Sequence, residues 1–204
     1  MKETLLNYFP QINKIQIENF IKFSELFLEW NAKINLISRK DTENLFVHHI
    51  LHSLSIARIF NFKSKTNIID VGTGGGFPGI PLAIMFPDVN FELVDSIAKK
   101  ILVVNDICKK LNIKNVKTIN SRVEFLAPNY DIIVSRAVTG FTDFYNITKN
   151  LFREKEGFQQ GIIYLKGGDI ATELKDFKNI KIYLISDFFE EEYFETKKII
   201  FFKK

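Results

Sequence analysis

Three features of this 204-residue chain predict an α/β fold, a mostly parallel sheet with helices on both faces behind an N-terminal helical extension. First, an apolar run at Ile68, Ile69 and Val71 breaks into glycines and resumes as a helical pattern at Ile80. Second, strand-like and helix-like segments alternate from residue 67 to residue 176. Third, the apolar residues of the first 60 positions recur at helical rather than alternating spacing.

In chain order, Ile12, Ile15, Phe20, Phe23, Phe27 and Trp30 mark the first helical stretch. Asp41 or Thr42 is positioned to cap a second helix through Leu45, Ile50, Leu51, Leu54 and Ile59. The polar connection Lys63–Thr66 separates this extension, residues 1–62, from a main unit of residues 63–204. Five strands are expected at 67–71, 90–94, 115–120, 130–135 and 161–166, with helices at 79–86, 97–111, 141–152 and 169–176. Two more strands, near 180–188 and 195–203, have no helix between them. Glu190, Glu191 and Glu192 mark a reversal there, which makes one of the seven strands antiparallel.

Hydrophobic residues at 46% and charged residues at 25% exclude a disordered or membrane-embedded chain. A net charge of +4 permits a polyanionic partner without requiring one. The single Cys108 excludes an internal disulfide, fits a reducing compartment and sits in a helical pattern as a small apolar group. The N-terminus is too polar for a signal peptide, and no run of 18 apolar residues could span a membrane. A soluble cytoplasmic protein is expected, and the absence of a dimerisation signal points to a monomer.

The glycine segment narrows the function. Strand, glycine loop and helix form the nucleotide-type cofactor unit of an open α/β sheet. The dinucleotide fingerprint requires glycine at its sixth position, which here is Phe77. The pattern is instead Gly72-x-Gly74-x-Gly76, with Asp70 before it. Asp95 closes the second strand, where a carboxylate can accept hydrogen bonds from ribose hydroxyls. S-adenosylmethionine has an adenosine but no pyrophosphate, so it suits this pattern better than NAD. Read alone, the loop would be an ordinary tight turn; Asp70 and Asp95 together point to a cofactor.

The segment Asp70–Pro81, read with Trp30-Asn31, Asn35-Leu36, His49-Ile50-Leu51, Asp95-Ser96, Ser121-Arg122-Val123-Glu124, Ser135-Arg136-Ala137 and Leu165-Lys166-Gly167, resembles the bacterial 16S ribosomal RNA guanine-N7 methyltransferases. This is the RsmG, or glucose-inhibited division protein B, family, and the pieces keep its order from about residue 20 to about residue 168. The resemblance implies a Rossmann-like class I methyltransferase fold. It also implies S-adenosylmethionine contacts at Gly72, Phe77, Val123, Glu124 and Arg136. The strand-end argument adds Asp95, and the loop adds Gly74 and Gly76. One departure stands out: the family pattern His-Ile-Leu-Asp-Ser reads His49-Ile50-Leu51-His52-Ser53 here.

The chemistry needs few residues. Enzymes that methylate exocyclic amines often carry Asn/Asp-Pro-Pro-aromatic after the fourth strand, where this chain has Ser135-Arg136-Ala137. Guanine N7 has a free lone pair and no proton, so no general base is expected. Arg136 is left with a positioning role, gripping the cofactor carboxylate or a nearby phosphate with both prongs of its guanidinium. In A-form RNA the major groove that carries N7 is too narrow for side chains, so the target guanine lies in a loop or is extruded. Candidate phosphate contacts are Lys166 at the expected mouth, then Lys99, Lys100, Arg39, Lys40, Lys197 and Lys198. His48 and His52 are four residues apart on a helical pattern, yet position 49 is His rather than the Glu of a zinc-protease motif, and no metal is expected. The competing readings are an NAD-linked oxidoreductase, a small-molecule methyltransferase and a ribosome-binding module with a vestigial pocket.

Overall fold

The computed structural model describes residues 1–136, 138–154 and 159–204. Ala137, the last residue of the Ser135-Arg136-Ala137 motif, lies outside these residues, as does the side chain of Arg39.

The described residues form a seven-stranded sheet. Its strands are β1 (Asn67–Val71), β2 (Asn90–Asp95), β3 (Val116–Asn120), β4 (Ile132–Arg136), β5 (Gly161–Gly167), β6 (Ile180–Leu184) and β7 (Lys197–Lys203). Their order is β3-β2-β1-β4-β5-β7-β6. β1 to β5 run parallel, while β7 lies antiparallel to both β5 and β6. The chain leaves β1 toward β2 on one side and later returns to β4 on the other, which opens a crevice at the carboxyl ends of these strands. β1 and β4 are near-continuous apolar runs because helices cover both faces of the central sheet.

The helices are α1 (Lys2–Tyr8), α2 (Lys14–Ile34), α3 (Arg39–Thr42), α4 (His52–Ile59), α5 (Gly79–Met85), α6 (Ala98–Lys110), α7 (Phe141–Thr148) and α8 (Ala171–Leu174). α2 begins with a reciprocal cap in which Asn13 Oδ1 accepts from Gln16 N at 2.9 Å and Gln16 Oε1 accepts from Asn13 N at 3.0 Å. Its buried Phe20, Phe23 and Phe27 share one apolar core with Ile68 of β1 and Phe77 of the glycine loop. Trp30 Nε1 pins the same helix to α6 by donating to Asp106 Oδ2 at 2.7 Å.

Several boundaries differ from the sequence expectation. The second helical stretch is capped by Ser38, whose Oγ accepts from Asp41 N at 3.2 Å, rather than by Asp41 or Thr42. The stretch also does not run as one helix, because Phe46–Leu51 winds as a π-helical turn before α4. Such turns widen the helix and frequently lie at functional sites. α7 stops at Thr148, whose hydroxyl bonds back to Phe144 O at 2.7 Å, and a single helical turn, Lys149–Leu151, follows. The helix expected over 169–176 is one turn long, and β6 ends at Leu184, where its pairing with β7 ends.

Candidate active site

β1 delivers the chain into a loop where Gly72, Gly74 and Gly76 adopt φ of +70°, +58° and +101°, a region that favours glycine. Gly72 N and Thr73 N both donate to Val94 O, which ties the loop to β2. Asp70 anchors it from below: Oδ2 accepts from Thr73 Oγ1 at 2.6 Å and from Gly79 N at 2.8 Å. The carboxyl is fully buried, and burial pushes its pKa up to about 7 against the opposing pull of those two donors. Its other oxygen has no hydrogen-bond partner among the described residues. Gly75 is required by close approach, since a Cβ there would lie 2.5 Å from Cε2 of Phe27.

Asp95, at the end of β2, braces the loop from the side. Its Oδ2 accepts from Gly74 N at 3.0 Å and its Oδ1 accepts from Ile97 N at 2.9 Å. Lys100 Nζ stands 3.6 Å from the same carboxylate. Beside it opens a cleft of about 520 Å³ bounded by Gly72, Asp95, Val123, Glu124, Arg136 and Val138. Four strand ends thus meet at one cavity, and of the sequence-proposed cofactor residues Gly72, Asp95, Val123, Glu124 and Arg136 line it. Gly74 and Gly76 shape the loop without lining the cleft.

The Phe77 side chain does not line the cleft. Its ring is 2% exposed and packs against Phe23 and Phe27 at centroid distances of 5.4 and 5.1 Å. The Arg136 guanidinium lies 5.1 Å above the ring, so Phe77 supports the arginine rather than facing the cleft.

Arg136 also borders a second cavity, of about 270 Å³, lined by Asp41, His48, His52, Lys166, Tyr193 and Lys197. The guanidinium is fixed from this side: Nη1 donates to His48 O at 3.3 Å and Nη2 donates to His49 Nδ1 at 2.9 Å. Burial and the neighbouring arginine depress the His49 pKa to about 3, which keeps its ring neutral and able to accept. Among the described residues no carboxylate pairs with Arg136. A partly buried cation held by neutral acceptors suits an anionic ligand group.

The two histidines proposed as a metal decoy have other partners. His48 stacks on Tyr193 with centroids 3.9 Å apart and donates from Nδ1 to Asp41 Oδ1 at 3.2 Å. His52 is buried; its Nδ1 lies 3.4 Å from the Tyr193 hydroxyl, and its Nε2 has no partner among the described residues.

The phosphate candidates separate as well. Lys166 lines the second cavity rather than the cofactor cleft, and Glu173 pairs with its ammonium. Lys198 Nζ is committed to Gly168 O at 2.7 Å. Lys197 stands 4.6 Å over the Tyr193 ring at the second cavity. Lys99 and Lys40 are exposed, whereas Lys100 belongs to the Asp95 side of the cofactor cleft. Sequence reasoning did not group Asp41 and Tyr193 with Arg136, because only the fold brings positions 41, 136 and 193 to one cavity.

The profile of the family described as rRNA small subunit methyltransferase G matches residues 16–195. A Flavobacterium johnsoniae protein named ribosomal RNA small subunit methyltransferase G is 50% identical over 200 residues, covering 97% of this chain and 96% of the relative. A Bacteroides thetaiotaomicron protein of the same name is 46% identical over 202 residues, covering 98% of each chain. Among solved structures, the chain is similar to a SAM-dependent O-methyltransferase from Thermotoga maritima, with a TM-score of 0.60 at 13% identity over 82% of this chain and 72% of that one. It is also similar to a SAM dependent methyltransferase from Aquifex aeolicus, with a TM-score of 0.57 at 15% identity over 82% of this chain and 98% of that one. At such identities the structural likeness speaks for the fold, which is Rossmann-like.

Proposed function

This chain belongs to the rRNA small subunit methyltransferase G family, and on that premise we propose that it methylates N7 of a guanine in a loop of 16S rRNA. It is an S-adenosylmethionine-dependent methyltransferase. The observation that carries the finer reading is the convergence of Gly72, Asp95, Glu124 and Arg136 on one 520 Å³ cleft at the switch point of the sheet.

The donor set of that cleft fits the cofactor. Asp95 would accept from the ribose hydroxyls, since each of its oxygens has a second lone pair beyond its backbone bond. Val123, which lines the cleft, would offer an apolar surface to the adenine, with Glu124 beside it to meet its edge. Arg136 supplies positive charge to the cofactor carboxylate with the N–H groups not bound to His48 and His49. When bound there, S-adenosylmethionine would supply an electrophilic methyl for the N7 lone pair, with sulfur keeping the electrons of the bond it gives up. No side chain has to remove a proton, so the protein's work is alignment and charge control. The reading also takes the protein as a monomer in the cytoplasm.

Calorimetry with S-adenosylmethionine and with NAD, followed by methyl transfer to small-subunit rRNA lacking the modification, tests this. Binding of the first ligand alone and label at guanine N7 are expected. No binding at millimolar S-adenosylmethionine, or label on an exocyclic amine, would overturn it.

A further inference from the structure

We propose that the 270 Å³ cavity on the far side of Arg136 receives the acceptor guanine, and that Asp41 reads its N1–H and 2-amino edge. This rests on the methyl-transfer reading above and names the acceptor half of the same site.

Arg136 is the residue common to the two cavities, so the second lies next to the cleft that would hold the methyl donor. Its volume is near the lower limit for ligand pockets, about 300 Å³, and suits a single heteroaromatic ring system. His48 and Tyr193, stacked on each other 15° from parallel, both line it and make one wall aromatic. An extruded base is held by such surfaces and read along its Watson–Crick edge. Lys197 supplies a cation beside this wall for the phosphates that flank the base.

Asp41 is the one carboxylate among the described residues that line the cavity. A carboxylate only accepts hydrogen bonds, which matches the two donors guanine presents at N1 and at its 2-amino group. Adenine carries an acceptor at N1 and would leave the carboxylate facing a lone pair. The hydrogen bonds from Ser38 Oγ at 2.6 Å and His48 Nδ1 at 3.2 Å orient Asp41 and hold its pKa below the ordinary carboxylate value. N7 lies on the opposite edge of the base from N1 and the 2-amino group, and a guanine held by Asp41 turns N7 away from it. Methyl transfer leaves positive charge on the ring and makes N1–H a stronger donor. The contact with Asp41 therefore tightens in the transition state.

Small-subunit rRNA carrying either guanosine or inosine at the target position tests the assignment, because inosine keeps N7 and N1–H but lacks the 2-amino group. The wild-type protein should favour guanosine by on the order of tenfold in kcat/KM. Asp41→Asn should lower kcat/KM on guanosine by on the order of 100-fold and bring the guanosine-to-inosine ratio close to one, with S-adenosylmethionine affinity within about twofold of wild type. The ratio is internal to each preparation, so partial misfolding does not move it. Wild-type protein that labels N7 without discriminating, or an Asp41→Asn protein that discriminates as wild type does, overturns the role of Asp41 alone. Wild-type protein that labels N7 in neither RNA overturns the methyl-transfer reading itself.

Discussion

The cavities on the two sides of Arg136 are built in different ways. The 520 Å³ cleft is assembled from strand ends and the turns that follow them: Gly72 after β1, Asp95 in β2, Val123 after β3 and Arg136 in β4. Any sheet with this strand order opens a crevice there. The 270 Å³ cavity instead joins Asp41 and His48 of the helical extension to Leu165 of β5 and Tyr193 ahead of β7. It exists only because the extension packs against the antiparallel end of the sheet. The first cavity follows from topology, which distant methyltransferases share, and the second from how the N-terminal extension packs. That division suits a common donor and an individual acceptor.

The largest effect should come from the residue that serves both cavities. Arg136→Lys keeps the charge but loses the planar fork that binds His48 O and His49 Nδ1 while facing the cleft. A cost of about 3 kcal/mol, on the order of 100-fold in kcat/KM, is expected from two charged hydrogen bonds that an ammonium cannot replace together. Steady-state kinetics should show poorer KM for both S-adenosylmethionine and RNA. If only the cofactor constant changes, Arg136 belongs to the cleft alone and the two cavities are not linked through it.

The two sides should also answer pH with opposite signs. On the cleft side, the Asp70 carboxyl titrates near 7 when folded against an ordinary 3.8, so the folded state binds the extra proton between those values. Stability from this group therefore falls as pH rises from about 4 to about 7. On the other side, His49 titrates near 3 against an ordinary 6.5, and His52 is shifted in the same direction by its burial. Here the unfolded state binds the extra proton, so stability falls as pH drops from about 6.5 toward 3. Each group can contribute a slope of at most about 1.4 kcal/mol per pH unit. Urea unfolding midpoints should rise from pH 4 to 6.5 in the wild type, because the two histidines outweigh the one carboxyl. In Asp70→Asn they should climb more steeply over the same range. A flat profile in Asp70→Asn would remove the electrostatic contrast between the two sides.

Legibility in the sequence followed the same division. The β1–glycine–α5 unit was readable almost to the residue, because an apolar run, glycines at spaced positions and Pro81 in a first helical turn are all local signals. Asp95 and Arg136 were readable as strand ends for the same reason. Phe77 was not, because only the packing of α2 over the loop shows that its ring is covered by Phe23 and Phe27. The Lys166–Glu173 pair depended on how the chain turns between β5 and α8, and the π-helical turn at His48 and His49 on contacts that no periodicity encodes. The Asp41–His48–Tyr193 grouping spans more than half the chain and has no local signature.

The smallest effect concerns the contact through which the packed region restrains the topological one. Gly75→Ala places a Cβ 2.5 Å from the Phe27 ring, whereas Gly74→Ala meets nothing nearer than 4.0 Å but strains a φ of +58°. Both should destabilise, Gly75→Ala by about 1–3 kcal/mol through overpacking and Gly74→Ala by about 1–2 kcal/mol through backbone strain. For a chain of this size each kcal/mol lowers Tm by about 2–4 °C, so melting temperature alone does not separate them. A double-mutant cycle with Phe27→Leu does. A smaller side chain at position 27 makes room for the alanine at 75, so that pair should be less than additive by about 1 kcal/mol, while the pair with Gly74→Ala should add. Additivity in both cycles would mean that α2 lies beside the glycine loop without restraining it. The cleft would then owe its shape to the sheet alone.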